Sequence, residues 1–118
     1  GPEETEVGFV IGEVAGKNVI MIDDIIATGG SIVQAAKVLK DKGAKDIYVG
    51  TTHAVLCGTA AEKLAGAPIK EVAVTDTIPL DGRARQLGER ISVLSISGLL
   101  GEAMRRIHTN ESISALFV

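Results

Sequence analysis

One cysteine, three prolines, two phenylalanines, one tyrosine and no tryptophan occur in 118 residues. With Cys57 alone, an internal disulfide and a cysteine-rich metal site are both excluded. The shortage of aromatics removes the stacking platforms on which single-stranded nucleic acid is held. Positive charge is not in excess: 12 Lys and Arg stand against 15 Asp and Glu, a net charge of −3. A broad basic surface for a polyanion is therefore missing, although one phosphate can still be bound locally. No uninterrupted apolar run is long enough to span a bilayer, and no secretory signal opens the chain. These absences point to a cytoplasmic protein with neither nucleic acid nor membrane as partner. Gly1-Pro2 has the form of a pair left by protease cleavage of an expression tag and is set aside. Residues 3–118 are read as a single domain.

The chain is rich in Ala, Val, Ile and Leu, with a hydrophobic fraction of 46%, which fits a compact α/β interior. Its length suffices for one core. Strands are expected over residues 7–14, 18–22, 46–52, 71–75 and 91–95. Helices are expected over 31–42, 59–65 and 97–108. Gly43 closes the first helix and Gly66 with Pro68 the second. Residues 76–89, with Pro79, Gly82 and Gly88, read as a loop region, and a short apolar tail follows the last helix. Alternating strands and helices predict an α/β fold with a mostly parallel sheet, flanked by helices on both faces. Ligands of such sheets sit beyond the carboxyl ends of the strands, where Asp23, Asp24, His53 and Asp76 would emerge.

Residues 22–31, Ile-Asp-Asp-Ile-Ile-Ala-Thr-Gly-Gly-Ser, carry the most specific signal. An apolar strand runs into two adjacent carboxylates, then a glycine-containing turn, then a helix. Carboxylates accept hydrogen bonds from sugar hydroxyls. A turn at a helix start presents backbone N–H groups to a phosphate, where the helix dipole favours negative charge. Successive strand side chains point to opposite faces, so Asp23 and Asp24 serve one ligand only if the strand ends there. Gly29 and Gly30 allow backbone angles and close ligand approach that a Cβ would hinder. Thr28 and Ser31 add hydroxyls, and Ser31 is a candidate N-cap. Each residue taken singly fits an acidic strand end before an ordinary capped helix. In this order they favour a sugar-phosphate site.

The stretch resembles the phosphoribosyl-diphosphate (PRPP) loop of type I phosphoribosyltransferases and of PRPP synthetase. It departs from the usual pattern at Ala27, where many members carry a third carboxylate, and has Ser31 for the commoner Thr. The likeness continues in order along the chain: Thr51-Thr52-His53, Leu56-Cys57-Gly58-Thr59-Ala60 and Thr75-Asp76-Thr77-Ile78-Pro79. Arg105-Arg106-Ile107-His108 and Glu111-Ser112-Ile113-Ser114-Ala115-Leu116-Phe117 complete it near the end. These terminal signatures are similar to those of the C-terminal half of PRPP synthetase.

The resemblance implies a type I phosphoribosyltransferase-like, three-layer fold. It implies a ribose 5-phosphate or PRPP site: Asp23 and Asp24 on the ribose hydroxyls; Ala27, Thr28, Gly29, Gly30 and Ser31 about the 5-phosphate. In that family diphosphate moves from ATP to ribose 5-phosphate with Mg2+. The half that supplies most of the ATP site has no counterpart here, and neither has the mobile basic catalytic loop. The chain is therefore expected to carry no catalytic residue, to hold no metal of its own, and to be inactive alone. Magnesium is expected to arrive with nucleotide or PRPP, since two carboxylates make an incomplete hard-metal site. A homo-oligomer is implied for the full-length protein. Ser112 and Ser114 match a family site for phosphate or ADP between subunits, with simple capping of the tail as the alternative.

Two other functions stay open from the sequence. One is a purine-type phosphoribosyltransferase, which Ala27 permits but for which no hood over a base is recognisable. The other is a non-catalytic module that assembles with a synthetase. Residues 12–18, Gly-Glu-Val-Ala-Gly-Lys-Asn, fall one residue short of phosphate-loop spacing and lack its Ser or Thr, so they read as a turn. Arg83, Arg85 and Arg90 are expected to be solvated, with phosphate or subunit contact as the alternative. His53 and Asp76 are expected to be structural, Asp76 as a turn former.

Overall fold

The computed structural model describes residues 12–117. Four strands, β1 (Val19–Ile26), β2 (Ile47–Ala54), β3 (Glu71–Thr75) and β4 (Ile91–Leu94), form one sheet in sequence order. All three pairings are parallel. Helix α1 (Gly30–Asp41) connects β1 to β2, α2 (Ala60–Ala65) connects β2 to β3, and α3 (Ser97–His108) follows β4. Residues Arg85–Arg90 and Ser114–Phe117 are short 3-10 segments. The expected class, a parallel α/β sheet with flanking helices, is the one observed, although among the described residues helices do not cover both faces as expected.

Parallel neighbours need a crossover, and a helix is the usual one. The apolar stripe of α1, Ile32, Val33, Ala36 and Leu39, is buried. It packs with Ala60, Ala61 and Leu64 of α2 against Ile47, Val49, Val72 and Val74 of the sheet. Helix α1 ends in a Schellman motif. Gly43 takes φ +92°, its N–H donates to the Lys40 carbonyl at 3.0 Å, and the Ala44 N–H reaches the Leu39 carbonyl at 3.1 Å. The opposite sheet face is open among the described residues, with Ile20 and Ile22 exposed at 68% and 83%.

Several expected boundaries move. The first expected strand, residues 7–14, lies mainly outside the described residues, and 12–14 are not in a strand. The strand expected over 18–22 continues through both carboxylates to Ile26, because β2 offers partners that far: Asp23 pairs with Thr51, Ile25 with His53 and Ile26 with Ala54. The helix expected from Ser31 begins at Gly30, behind Gly29 in a left-handed conformation. The loop expected over 76–89 contains a tight turn, in which the Arg83 N–H donates to the Leu80 carbonyl at 2.8 Å. Asp81 and Gly82 both have positive φ there, and Asp-Gly is the pair that a type I′ turn prefers.

Candidate functional site

The site follows from the way β1 ends. Burial alternates along the strand, with Val19, Met21 and Asp23 half-buried and Ile20, Ile22 and Asp24 exposed. It then skips a step, so that Ile26 is buried while Ile25 is not. Strand β2 makes the same skip, from Thr51 to Ala54. The skip lets the chain leave the sheet at Ala27 and double back into α1.

A concave pocket of about 210 Å3 lies in this bend, lined by Asp23, Ala27, Thr28, Gly29, Gly30 and Ser31, with Ile25, Ile26 and Ile32 as apolar walls. Six of the seven expected residues are thus brought together. Asp24 is not part of the lining. Because β1 runs straight through the acid pair, alternation directs its carboxylate to the opposite face.

Gly29 carries φ +81°. A Cβ at this position would meet Leu64 and the Ala60 carbonyl at no less than 3.6 Å, an ordinary contact. The backbone conformation, rather than space, therefore requires glycine. Among the described residues no side chain caps α1, and no acidic residue stands in its first turn. The Val33 N–H is the first to find a helical acceptor, the Gly29 carbonyl at 3.0 Å. The N–H groups ahead of it face the bend with the positive end of the helix dipole behind them, an arrangement suited to an anion. Ser31 lies inside the helix as its second residue, so the expected N-cap role passes to Gly29.

Other rim residues have structural partners. Both Thr75 Oγ1 and Thr77 Oγ1 donate to the Thr52 carbonyl, at 2.6 and 3.1 Å. With its proton committed, Thr77 Oγ1 accepts from His53 Nδ1 at 2.8 Å. This places a proton on Nδ1. Asp76 Oδ1 accepts from the Ile96 N–H at 2.9 Å. That bond, then the Ser95 hydroxyl, holds the carboxyl below its ordinary range. Asp76 thus ties the end of β3 to the start of α3, a long-range role in place of the turn-forming one expected.

Sequence reasoning missed Thr51. It is 5% exposed and directly beside Asp23 in register, and its Oγ1 has no hydrogen-bond partner among the described residues. Only the pairing register could reveal this. Arg83 and Arg90, expected to be solvated, are instead half-buried and bonded to carbonyls. Arg90 donates to the carbonyls of Ala65 at 2.7 Å and Ile69 at 3.2 Å. Arg83 serves the carbonyls of Val55, Pro79 and Leu80. Ser112 and Ser114 are exposed, with their hydroxyls 2.8 Å apart, and the Ser114 N–H is 3.3 Å from Ser112 Oγ.

The geometry defines a class: parallel α/β domains in which a strand-end turn leads into a helix. Within it, the chain belongs to the family described as phosphoribosyl synthetase-associated domain, whose model matches residues 3–118. It is 49% identical over 112 residues to a ribose-phosphate pyrophosphokinase of Pasteurella multocida, covering 95% of this chain and 35% of that protein. A ribose-phosphate pyrophosphokinase of Staphylococcus saprophyticus is 47% identical, covering 98% of this chain and 36% of the relative. Among solved structures, the phosphoribosylpyrophosphate synthetase of Mycobacterium smegmatis matches with a TM-score of 0.80 and 40% identity. That match covers 85% of this chain and 33% of the other. The chain spans about a third of the length of these relatives.

Proposed function

We propose that this chain is the ribose-5-phosphate-binding domain of a PRPP synthetase, which transfers diphosphate from ATP to ribose 5-phosphate. One observation carries the reading: the uncapped start of α1, entered through left-handed Gly29, opens into the same pocket as Asp23. The amides of this turn, with the Thr28 and Ser31 hydroxyls, hold the 5-phosphate. Asp23 accepts from a ribose hydroxyl within the pocket, and Asp24 approaches the sugar only from the far side of the strand.

The Mg2+ and ATP of the reaction belong to the rest of the longer protein. Asp23 and Asp24 lie on opposite faces of β1, so they do not fit a self-contained hard-cation site. This domain therefore binds and orients the sugar phosphate without making PRPP by itself. A cytoplasmic, homo-oligomeric parent belongs to the same reading. The homo-oligomeric part is supported by the exposed Leu100, Met104 and Ile107 on α3, since apolar surface of this kind tends to be covered in assemblies. The neighbouring Ser112 and Ser114, beside Arg106 on the Ser112 carbonyl at 3.1 Å, are the candidate phosphate or ADP contact between subunits. Phosphate titration of a full-length synthetase with Ser112→Ala should shift its activation curve; an unchanged curve removes this contact.

Titration of ribose 5-phosphate into the 118-residue chain, followed by amide NMR, tests the central reading. Shifts are expected at Gly29, Gly30, Ser31 and Ile32, smaller with inorganic phosphate and absent with ribose. No shift at these amides would sink it. AMP release from ATP plus ribose 5-phosphate by the pure chain would show that the catalytic equipment is more complete than proposed.

The open apolar surface also favours a second reading, a non-catalytic module that docks onto a synthetase. Stable binding to a full-length synthetase without affinity for ribose 5-phosphate would select it.

A further inference from the structure

The pocket bend does not stand alone. The turn that leaves β2 grips it from below through three backbone bonds. The Val55 and Leu56 N–H groups both donate to the Ile26 carbonyl at 3.1 Å, and the Cys57 N–H donates to the Ala27 carbonyl at 2.9 Å. Ile26 and Ala27 are pocket walls. The gripping turn is itself in an unusual conformation: Leu56 has φ +45° and is 1% exposed. A bulky residue stays in that sparsely populated region only where its surroundings over-determine it.

Arg83 supplies the outer constraint. Its Nη1 donates to the Val55 carbonyl at 2.9 Å, its Nε to the Leu80 carbonyl at 3.2 Å, and its Nη2 to the Pro79 carbonyl. The rigid guanidinium fork thus fastens the turn after β2 to the loop after β3. A continuous path runs from Arg83 through the Val55 and Leu56 peptides to the Ile26 and Ala27 carbonyls, which set where the amides of the bend point. We propose that Arg83 is a positioning residue for the phosphate-holding turn: it fixes the bend at Ala27 and Thr28 by holding the 55–57 turn, without touching ligand. This rests on the sugar-phosphate reading of the pocket.

Arg85 is the matched control. It is exposed and makes no side-chain hydrogen bond among the described residues, so its removal changes net charge equally without releasing the turn. In the 118-residue chain, Arg83→Met should speed amide exchange at Leu56 and Cys57 about tenfold and weaken ribose 5-phosphate about three- to tenfold. Exchange at Val49 and Val72 in the core should keep wild-type rates. Arg85→Met should leave all of these unchanged. Arg83→Lys should fall between, since an ammonium lacks the fork.

Wild-type exchange at Leu56 and Cys57 in Arg83→Met would overturn the proposal. So would equal acceleration at Val49 and Val72, which marks general destabilisation, or equal weakening of ligand by Arg85→Met, which marks charge alone. Should Arg83→Met not fold, Arg83→Lys carries the same readouts and the same criteria. If the wild-type chain binds no ribose 5-phosphate, the reading of the pocket falls, and exchange at Leu56 and Cys57 alone decides whether Arg83 holds the turn.

Discussion

Helices α1 and α3 have the same length and a similar amphipathic pattern, yet they meet different fates. Helix α1 buries Ile32, Val33, Ala36 and Leu39, whereas α3 buries nothing among the described residues, and its Leu100, Met104 and Ile107 are 53–63% exposed. The difference lies in connectivity. Helix α1 joins two strands that pair side by side, so the crossover presses it onto the sheet. Helix α3 follows β4, the last strand in the sheet order, and among the described residues no later strand draws it back. It relies on its own surface: Glu102 bonds Arg105 at 2.8 Å and Arg106 at 2.9 Å, and Arg105 reaches Glu111 at 2.9 Å. An amphipathic sequence makes a face, but the path of the chain decides whether that face is covered.

The largest test of this contrast is truncation on each side of it. Leu39, buried on α1 in the core, should cost about 2–5 kcal/mol of stability as Leu39→Ala in urea unfolding. Met104→Ala on α3 should change it by no more than about 0.5 kcal/mol. A large loss at Met104 would mean that α3 packs more tightly than the structure describes.

The second test turns to the pocket, where the two acids are contrasted in the same way. Asp23→Asn should weaken ribose 5-phosphate about tenfold or more by calorimetry, the scale of a hydrogen bond to a charged group. Asp24→Asn, outside the lining, should weaken it about threefold or less. Equal losses would show that the sugar reaches both faces of β1.

Glycine replacements give a third contrast, of opposite sign. Gly29→Ala places a Cβ in the left-handed region and should destabilise by about 1–2 kcal/mol, with loss of ligand shifts. Gly101→Ala on α3 has open space around it and should stabilise by about 0.5–1 kcal/mol through helix propensity. Thermal melts of both variants check the pair.

The smallest effect is electrostatic and confined to α3. Hydrogen bonds from Arg105, then Arg106, pull the Glu102 carboxyl from its ordinary 4.5 down to about 2. A carboxyl lowered by folding adds stability above its unfolded value and loses it as pH falls through the folded one. Helical circular dichroism should therefore decline modestly between about pH 4.5 and 2. Glu102→Gln should flatten that part of the profile, and high salt should blunt it because these charges are exposed. A profile unchanged by the substitution would assign the decline to other carboxylates.

Much of the fold was legible because it depends on local pattern. The range expected for β3 and that for α3 coincide with the structure, and β2, α2 and β4 differ from expectation by one or two residues at their ends. The pocket lining was legible as well, since glycine, small hydroxyl residues and a strand-end acid lie within one short stretch. The end of β1 was not. A strand stops where its partner stops offering hydrogen bonds, and the partner of Asp23 through Ile26 lies 28 positions further along the chain in a parallel register. The placement of Asp24, the orphan hydroxyl of Thr51 and the carbonyl grip of Arg83 depend on similar distant relations.

By itself the sequence determined which residues bring amides, hydroxyls and a carboxylate to the strand-end pocket, since that chemistry travels with the residues. It also determined the alternation of strand and helix, which follows from the spacing of apolar side chains. Tertiary structure alone decided which of two adjacent acids enters the pocket, which amphipathic helix is covered, and what braces the bend from behind. Those outcomes depend on pairings between segments far apart in the chain, and no local pattern encodes them.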